Sequence, residues 1–122
     1  MNENVLELTD ESYTDFIANC NGVLFLDFYS DTCPPCQTLL KFLPRLAEHF
    51  KDENVVIAKV NAAYNPKLSS KFMVKSIPLT LVIGEDKMVK RAEVGLLGIE
   101  KYNSMIESAL GKKKGLFAKI FG

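Results

Sequence analysis

The chain has 122 residues, 48% hydrophobic and 25% charged, with 15 basic and 15 acidic side chains, a single histidine and three cysteines. That size and apolar content suit one domain with a core of its own, and no apolar run approaches the roughly 20 residues needed to cross a bilayer. Lysines scattered among acids, without interleaved aromatics, give no nucleic-acid stripe, and three cysteines are too few for a secreted disulfide framework, so a reducing, cytoplasmic compartment is expected. The acidic start, Met-Asn-Glu-Asn-Val-Leu-Glu, has no basic region ahead of an apolar stretch. It is not a signal peptide as written, and Met1 is read as the native start. No internal repeat and no linker rich in Gly, Ser or Pro divides the chain.

Asn4 to Leu8 alternates weakly and suits a short edge strand. Thr9 or Asp10 then reads as a helix N-cap, with Asp10 and Glu11 suited to the positive end of the helix. Tyr13, Phe16, Ile17 and Cys20 form a helical stripe. Asn19 to Gly22 is expected to end it through a left-handed cap.

Val23 to Tyr29 is apolar on both faces, the pattern of a central strand covered on both sides. Asp27 interrupts it. A carboxylate there is expected to be desolvated, which raises its pKa. A satisfied core Asp is the ordinary reading of such a residue, but its place just before two thiols favours a functional one.

Those thiols are Cys33 and Cys36, separated by Pro34 and Pro35. A cysteine at a helix start meets unpaired backbone N–H groups and the positive end of the macrodipole. Both favour thiolate, the nucleophilic form. The i, i+3 spacing places the second sulfur on the same helix face. The pair suits a reversible disulfide, and by itself it also suits zinc. A helix follows, with Cys36, Leu39, Leu40, Leu43, Leu46, Ala47 and Phe50 on one apolar face. Pro34 and Pro35 are tolerated in its first turn, whereas Pro44 is expected to kink it. His49, near its end, reads as a solvated residue favoured by the helix dipole.

Val55 to Val60 is a second buried-type strand, interrupted by Lys59. Either Lys59 approaches Asp27 or it snorkels to the surface. The pattern alone favours snorkelling. Asn61 to Pro66 turns the chain, and Lys67 to Phe72 suits a short helix. Pro78 begins a strand that runs to Gly84. Glu85–Lys87 is a tight turn, and Met88 to Val94 pairs back as a hairpin. Ile99, Tyr102, Met105, Ile106, Ala109 and Leu110 give a last amphipathic helix. The predicted fold is α/β in the order βαβαβαββα.

From about Leu8 to Leu110 the chain resembles the thioredoxin family. The resemblance rests on Val-Leu-Phe-Leu-Asp-Phe before Cys33-Pro-Pro-Cys36, on Ala58-Lys-Val-Asn61, on Ser76-Ile-Pro-Leu-Thr80, and on Val94-Gly95. It implies a central mixed sheet between helices and a thiol–disulfide oxidoreductase, most simply a protein-disulfide reductase. Cys33 resembles the attacking cysteine and Cys36 the resolving one. Asp27 matches the buried acid that exchanges a proton with the resolving thiol, and Lys59 the lysine near that acid, which strengthens the pairing idea. Pro78 matches the cis-proline facing the thiols. Ile77, Pro78 and Gly95 match the groove where a client segment lies, beside Thr32 and Pro34 of the motif. Disulfide-bearing client proteins, a thioredoxin-reductase-type electron donor, a monomeric state and no cofactor beyond the Cys33–Cys36 disulfide follow from the same resemblance.

The chain departs from the family's Trp-Cys-Gly-Pro-Cys. Thr32 replaces the Trp, Pro34 the Gly, and Tyr29 stands where a second Trp is usual. The helix proline comes later, at Pro44. Reductase and clients in the family contact the region around the first Trp. A thiol oxidant or isomerase, a binding module with little turnover, and zinc binding are the other readings. For zinc, Cys20 and His49 lack metal-type spacing to the pair.

Cys20 is expected to pack as a small hydrophobe, with a regulatory thiol as the alternative. The domain is expected to end near residue 110, and residues 111–122 to form a basic, amphipathic tail. Its composition suits a membrane surface or a partner groove. At this length a frayed or self-docked tail is favoured over an independent helix.

Overall fold

The computed structural model describes residues 4–111. Strand β1 (Val5–Glu7) is followed by α1 (Tyr13–Asn19), β2 (Val23–Tyr29), α2 (Pro34–His49) and β3 (Val55–Asn61). A 3-10 turn at Ala62–Tyr64 leads to α3 (Pro66–Lys71), then β4 (Leu79–Ile83), β5 (Val89–Val94) and α4 (Ile99–Ala109). The sheet runs β1-β3-β2-β4-β5. β1, β3 and β2 are parallel, whereas β4 and β5 are antiparallel to their neighbours. This is the expected element order, on a mixed sheet.

The all-apolar β2 takes the central position because both of its faces can be covered there, and all seven of its residues are buried. On one face, Val23 and Phe25 pack with Leu39, Leu43 and Leu46 of α2 and Tyr102, Met105 and Ile106 of α4. On the other, Leu24, Leu26 and Phe28 pack with Leu8, Tyr13 and Leu68. β1, short and exposed at Leu6 and Glu7, is the edge strand expected at Asn4 to Leu8.

Local geometry differs from expectation at two places around α1. The N-cap is Ser12, whose side chain makes no capping bond. Asp10 serves another helix: its carboxylate accepts from the backbone N–H groups of Lys67 (3.0 Å) and Leu68 (2.8 Å). It caps α3, where Pro66 occupies the first position and has no donor to offer. The left-handed cap expected within Asn19 to Gly22 is also absent. Cys20 ends α1 at φ −87° and ψ 119°, extended. Its buried side chain and the bond from Val23 N–H to Asn54 O (2.9 Å) carry the chain directly into β2.

α2 runs through Pro44 to His49 as one element. Pro78 lies just ahead of β4 and carries a cis peptide bond to Ile77. The tail at 112–122, with the basic amphipathic pattern, lies outside the described residues.

Candidate active site

α2 begins at the carboxyl end of β2 and runs back over the sheet. Asp27 lies near the carboxyl end of β2, on the face that carries Val23 and Phe25 and packs against α2. Cys33 is the N-cap of α2, and Pro34 and Pro35 are the first helical residues. Neither proline offers an N–H, so the donor that reaches the Cys33 sulfur is the backbone N–H of Cys36, at 3.3 Å. Cys33 and Cys36 form a disulfide with Cα atoms 5.1 Å apart. Their exposures differ. Cys33 is half-buried between exposed Thr32 and Pro34, whereas Cys36 is completely buried. Of the two sulfur-bearing residues, Cys33 is the more exposed.

Of the other residues singled out in the sequence, Ile77 approaches Cys33, and Pro78 and Gly95 adjoin it. The Cys33 sulfur lies 4.0 Å from the carbonyl oxygen of Ile77, immediately before the cis bond to Pro78. Gly95 N–H donates to Pro78 O at 2.8 Å, which joins the end of β5 to this loop. Gly95 has φ +93°, a region that a residue with a Cβ enters only with strain, and the space above it is open. Val94 and Leu96 on either side are exposed apolar residues. Beside Ile77, a shallow cavity of about 320 Å³ is lined by Ser30, Ala62, Ser69, Val74 and Lys75 among others.

Tyr102 supports the groove from below, a role that the sequence pattern does not reveal. Its hydroxyl accepts from Leu97 N–H (2.9 Å) and donates to Gly95 O (3.3 Å), fixing the Gly95 loop to α4. In the sequence it is simply one member of the apolar stripe of α4, and nothing distinguishes its hydroxyl.

Asp27 is fully buried, and neither carboxylate oxygen has a hydrogen-bond partner among the described residues. Burial pushes its pKa up to about 8, against a smaller lowering by Lys59. The carboxyl is therefore mostly protonated at neutral pH, yet able to exchange a proton near it. Lys59 is its register partner on β3. The predicted closeness holds along the strands, but the ammonium pairs elsewhere: Lys59 Nζ lies 3.7 Å from Glu7 Oε1. Lys59 keeps a partly exposed position, as a snorkelling lysine does, because a cation gains more at the wet edge of the sheet than beside a mostly neutral acid.

Cys20 is a free, buried cysteine whose Sγ is 3.7 Å from Gly22 O, consistent with a packing role. Among the described residues, no group of three or more His, Cys, Asp or Glu is arranged to hold a metal ion, and no helix is long and apolar enough to cross a membrane.

A dithiol pair that opens a helix, set against a cis-proline loop and above a buried carboxyl, defines a thiol–disulfide exchange protein. The thioredoxin family model matches residues 4–108. The chain is 31% identical over 104 residues to a thioredoxin of Rhodospirillum rubrum, covering 85% of this chain and 98% of that protein. Among solved structures, it is similar to the N21Q mutant thioredoxin from Halobacterium salinarum NRC-1, with a TM-score of 0.77 at 28% identity, over 88% of this chain and 91% of that one. It is likewise similar to a Trichomonas vaginalis thioredoxin, with a TM-score of 0.75 at 26% identity, over 87% and 97%. The chain belongs to the thioredoxin family, and its chemistry is that of a thiol–disulfide oxidoreductase that reduces protein disulfides.

Proposed function

We propose that Cys33 attacks the disulfide of a client protein, that Cys36 resolves the resulting mixed disulfide, and that Asp27 takes the proton Cys36 must lose. The observation that carries this reading is the difference in exposure between the two sulfurs. In the first step the Cys33 thiolate bonds to one client sulfur and the other leaves as thiolate, taking a proton from solvent. In the second, the Cys36 proton passes to Asp27 in the minority of molecules whose carboxyl is ionised at neutral pH. The Cys36 thiolate then attacks the Cys33 sulfur, the second client thiol leaves, and the Cys33–Cys36 disulfide forms. Two electrons have passed to the client, and a thioredoxin-reductase-type donor restores the dithiol. Covalent capture of clients by the Cys36→Ser variant tests the assignment.

Thr32, Pro34, Ile77, Pro78 and Gly95 form the client groove in this proposal. The Cys33–Ile77 and Gly95–Pro78 contacts support it. A monomeric, cytoplasmic reductase belongs to the same reading, supported by composition and the family match. So does the division near residue 110 between the redox domain and a basic tail suited to a membrane or protein surface. The sulfur accepts one backbone N–H, that of Cys36, and a Gly at 34 would restore one N–H to the positive end of the helix beside it. Pro34→Gly is therefore expected to lower the Cys33 thiolate pKa. Titration of the thiolate absorbance in both proteins checks this, and an unchanged or higher value in the variant contradicts it.

A further inference from the structure

A row of polar residues crosses the sheet on the face that packs against α2. Glu7 on β1 is in register with Lys59 on β3, and Lys59 in turn with Asp27 on β2. Partners in register project to the same face, so one lysine stands between two carboxylates. They are unequal: Asp27 is fully buried, whereas the Glu7 side chain is 43% exposed. The ammonium lies with the outer one. Tyr29 fixes that choice. Its hydroxyl donates to Glu7 Oε2 at 2.8 Å, and its ring centroid is 5.8 Å from Lys59 Nζ. Glu7 thus uses one oxygen for the tyrosine and the other for the lysine, while both oxygens of Asp27 go without a hydrogen bond among the described residues.

We propose that Glu7 is a positioning residue for proton exchange: together with Tyr29 it holds the Lys59 ammonium at the sheet edge, withholds that cation from Asp27, and so raises the proton affinity of the buried acid. This rests on Asp27 being the proton acceptor for Cys36. The pKa of Asp27, raised by burial against a smaller lowering by Lys59, agrees with the arrangement. Among the described residues, the neighbouring groups on the other elements bring no competing cation to Asp27. Thr80 on β4 is its cross-strand partner and bonds to Glu93 O at 3.4 Å. Tyr102 on α4 has its hydroxyl engaged by Leu97 and Gly95. Cys36 on α2 is in the disulfide. On β5, Glu93 is tied to Arg91 at 2.8 Å, at the opposite edge of the sheet.

The test is a titration of the Asp27 carboxyl carbon by NMR in the oxidised protein, for wild type, Glu7→Gln, Tyr29→Phe, and each of these in a Lys59→Met background. Glu7→Gln is expected to lower the Asp27 pKa by about one unit, as an opposite charge that turns toward a carboxylate does. Tyr29→Phe, which only loosens Glu7, is expected to move it less in the same direction. In the Lys59→Met background both changes are expected to vanish. A wild-type titration in Glu7→Gln overturns the proposal. So does a change of equal size with Lys59→Met, because Glu7 would then act by its own field. Should Glu7→Gln not fold, the Tyr29→Phe pair decides alone. The readout is the acid itself and not turnover. A failure of Asp27 as proton acceptor would instead show as unchanged turnover in Asp27→Asn.

Discussion

Cys36→Ser is expected to accumulate a stable mixed disulfide with client proteins, and Cys33→Ser none. Disulfide exchange needs a thiolate that reaches the target sulfur in line. The backbone places one sulfur at the rim of the groove and the other entirely beneath α2. The rim sulfur also receives the N–H bond at the helix start, which favours its thiolate. Turnover should fall by about 10³-fold or more in either variant, the scale on which loss of a member of a catalytic unit acts. The variants differ in what remains. With Cys33 present the first step proceeds and stops, so a non-reducing gel shows adducts that dithiothreitol releases. Adducts formed by Cys33→Ser, and missing from Cys36→Ser, would reverse the assignment.

Asp27→Asn is expected to stabilise the folded protein, and to do so increasingly as pH rises. The sign follows from proton uptake. The carboxyl titrates near the ordinary 3.8 when unfolded and at about 8 when folded. Between those values the native state holds a proton that the unfolded state has released, so stability falls as pH climbs and levels off above about 8. Below the unfolded value the penalty is absent. Its ceiling is on the order of 6 kcal/mol, since each pH unit between the two titrations is worth about 1.4 kcal/mol. The asparagine carries no charge to desolvate. Urea unfolding of the oxidised protein at pH 5, 7 and 9 should show the gain growing at each step. A gain that is constant with pH would mean that Asn repacks the site without any relief of a buried charge. The same substitution should slow release of the mixed disulfide, since Cys36 loses its proton acceptor.

Much of this site is legible in the sequence because its scaffold is built from extreme patterns. Val23 to Tyr29 has no face to spare for solvent, so it has to be a central strand, and Asp27 within it has to be desolvated. The stripe from Cys36 to Phe50 marks both the helix and the sulfur that it buries. Ile77, Pro78 and Gly95 come from the family resemblance, and the structure puts Ile77 beside Cys33 and Gly95 beside Pro78. What sequence does not reveal depends on pairing between distant segments. Asp10 has the composition of a cap for the next helix, yet its carboxylate meets the N–H groups of α3, 57 and 58 residues away. Its spacing carries no trace of that. Setting Lys59 against Asp27 comes from the family resemblance, since the strand pattern alone favours a snorkelling lysine, and the two are in register. The competing acid, Glu7, sits in a three-residue edge strand whose pairing follows from how β1 docks on β3. The hydroxyls of Tyr29 and Tyr102 are likewise hidden, because in a one-dimensional pattern a buried tyrosine reads as an aromatic core residue.

The most direct test of the account is the reduction potential of the Cys33–Cys36 pair, measured by equilibration with a glutathione buffer and counting of free thiols by mass. Reversible closure is expected near about −270 mV, the reducing end of the range for such dithiols, despite the two intervening prolines. A value near about −180 to −120 mV would place the protein among thiol oxidants and isomerases, and would contradict the proposed reductase and its cytoplasmic setting.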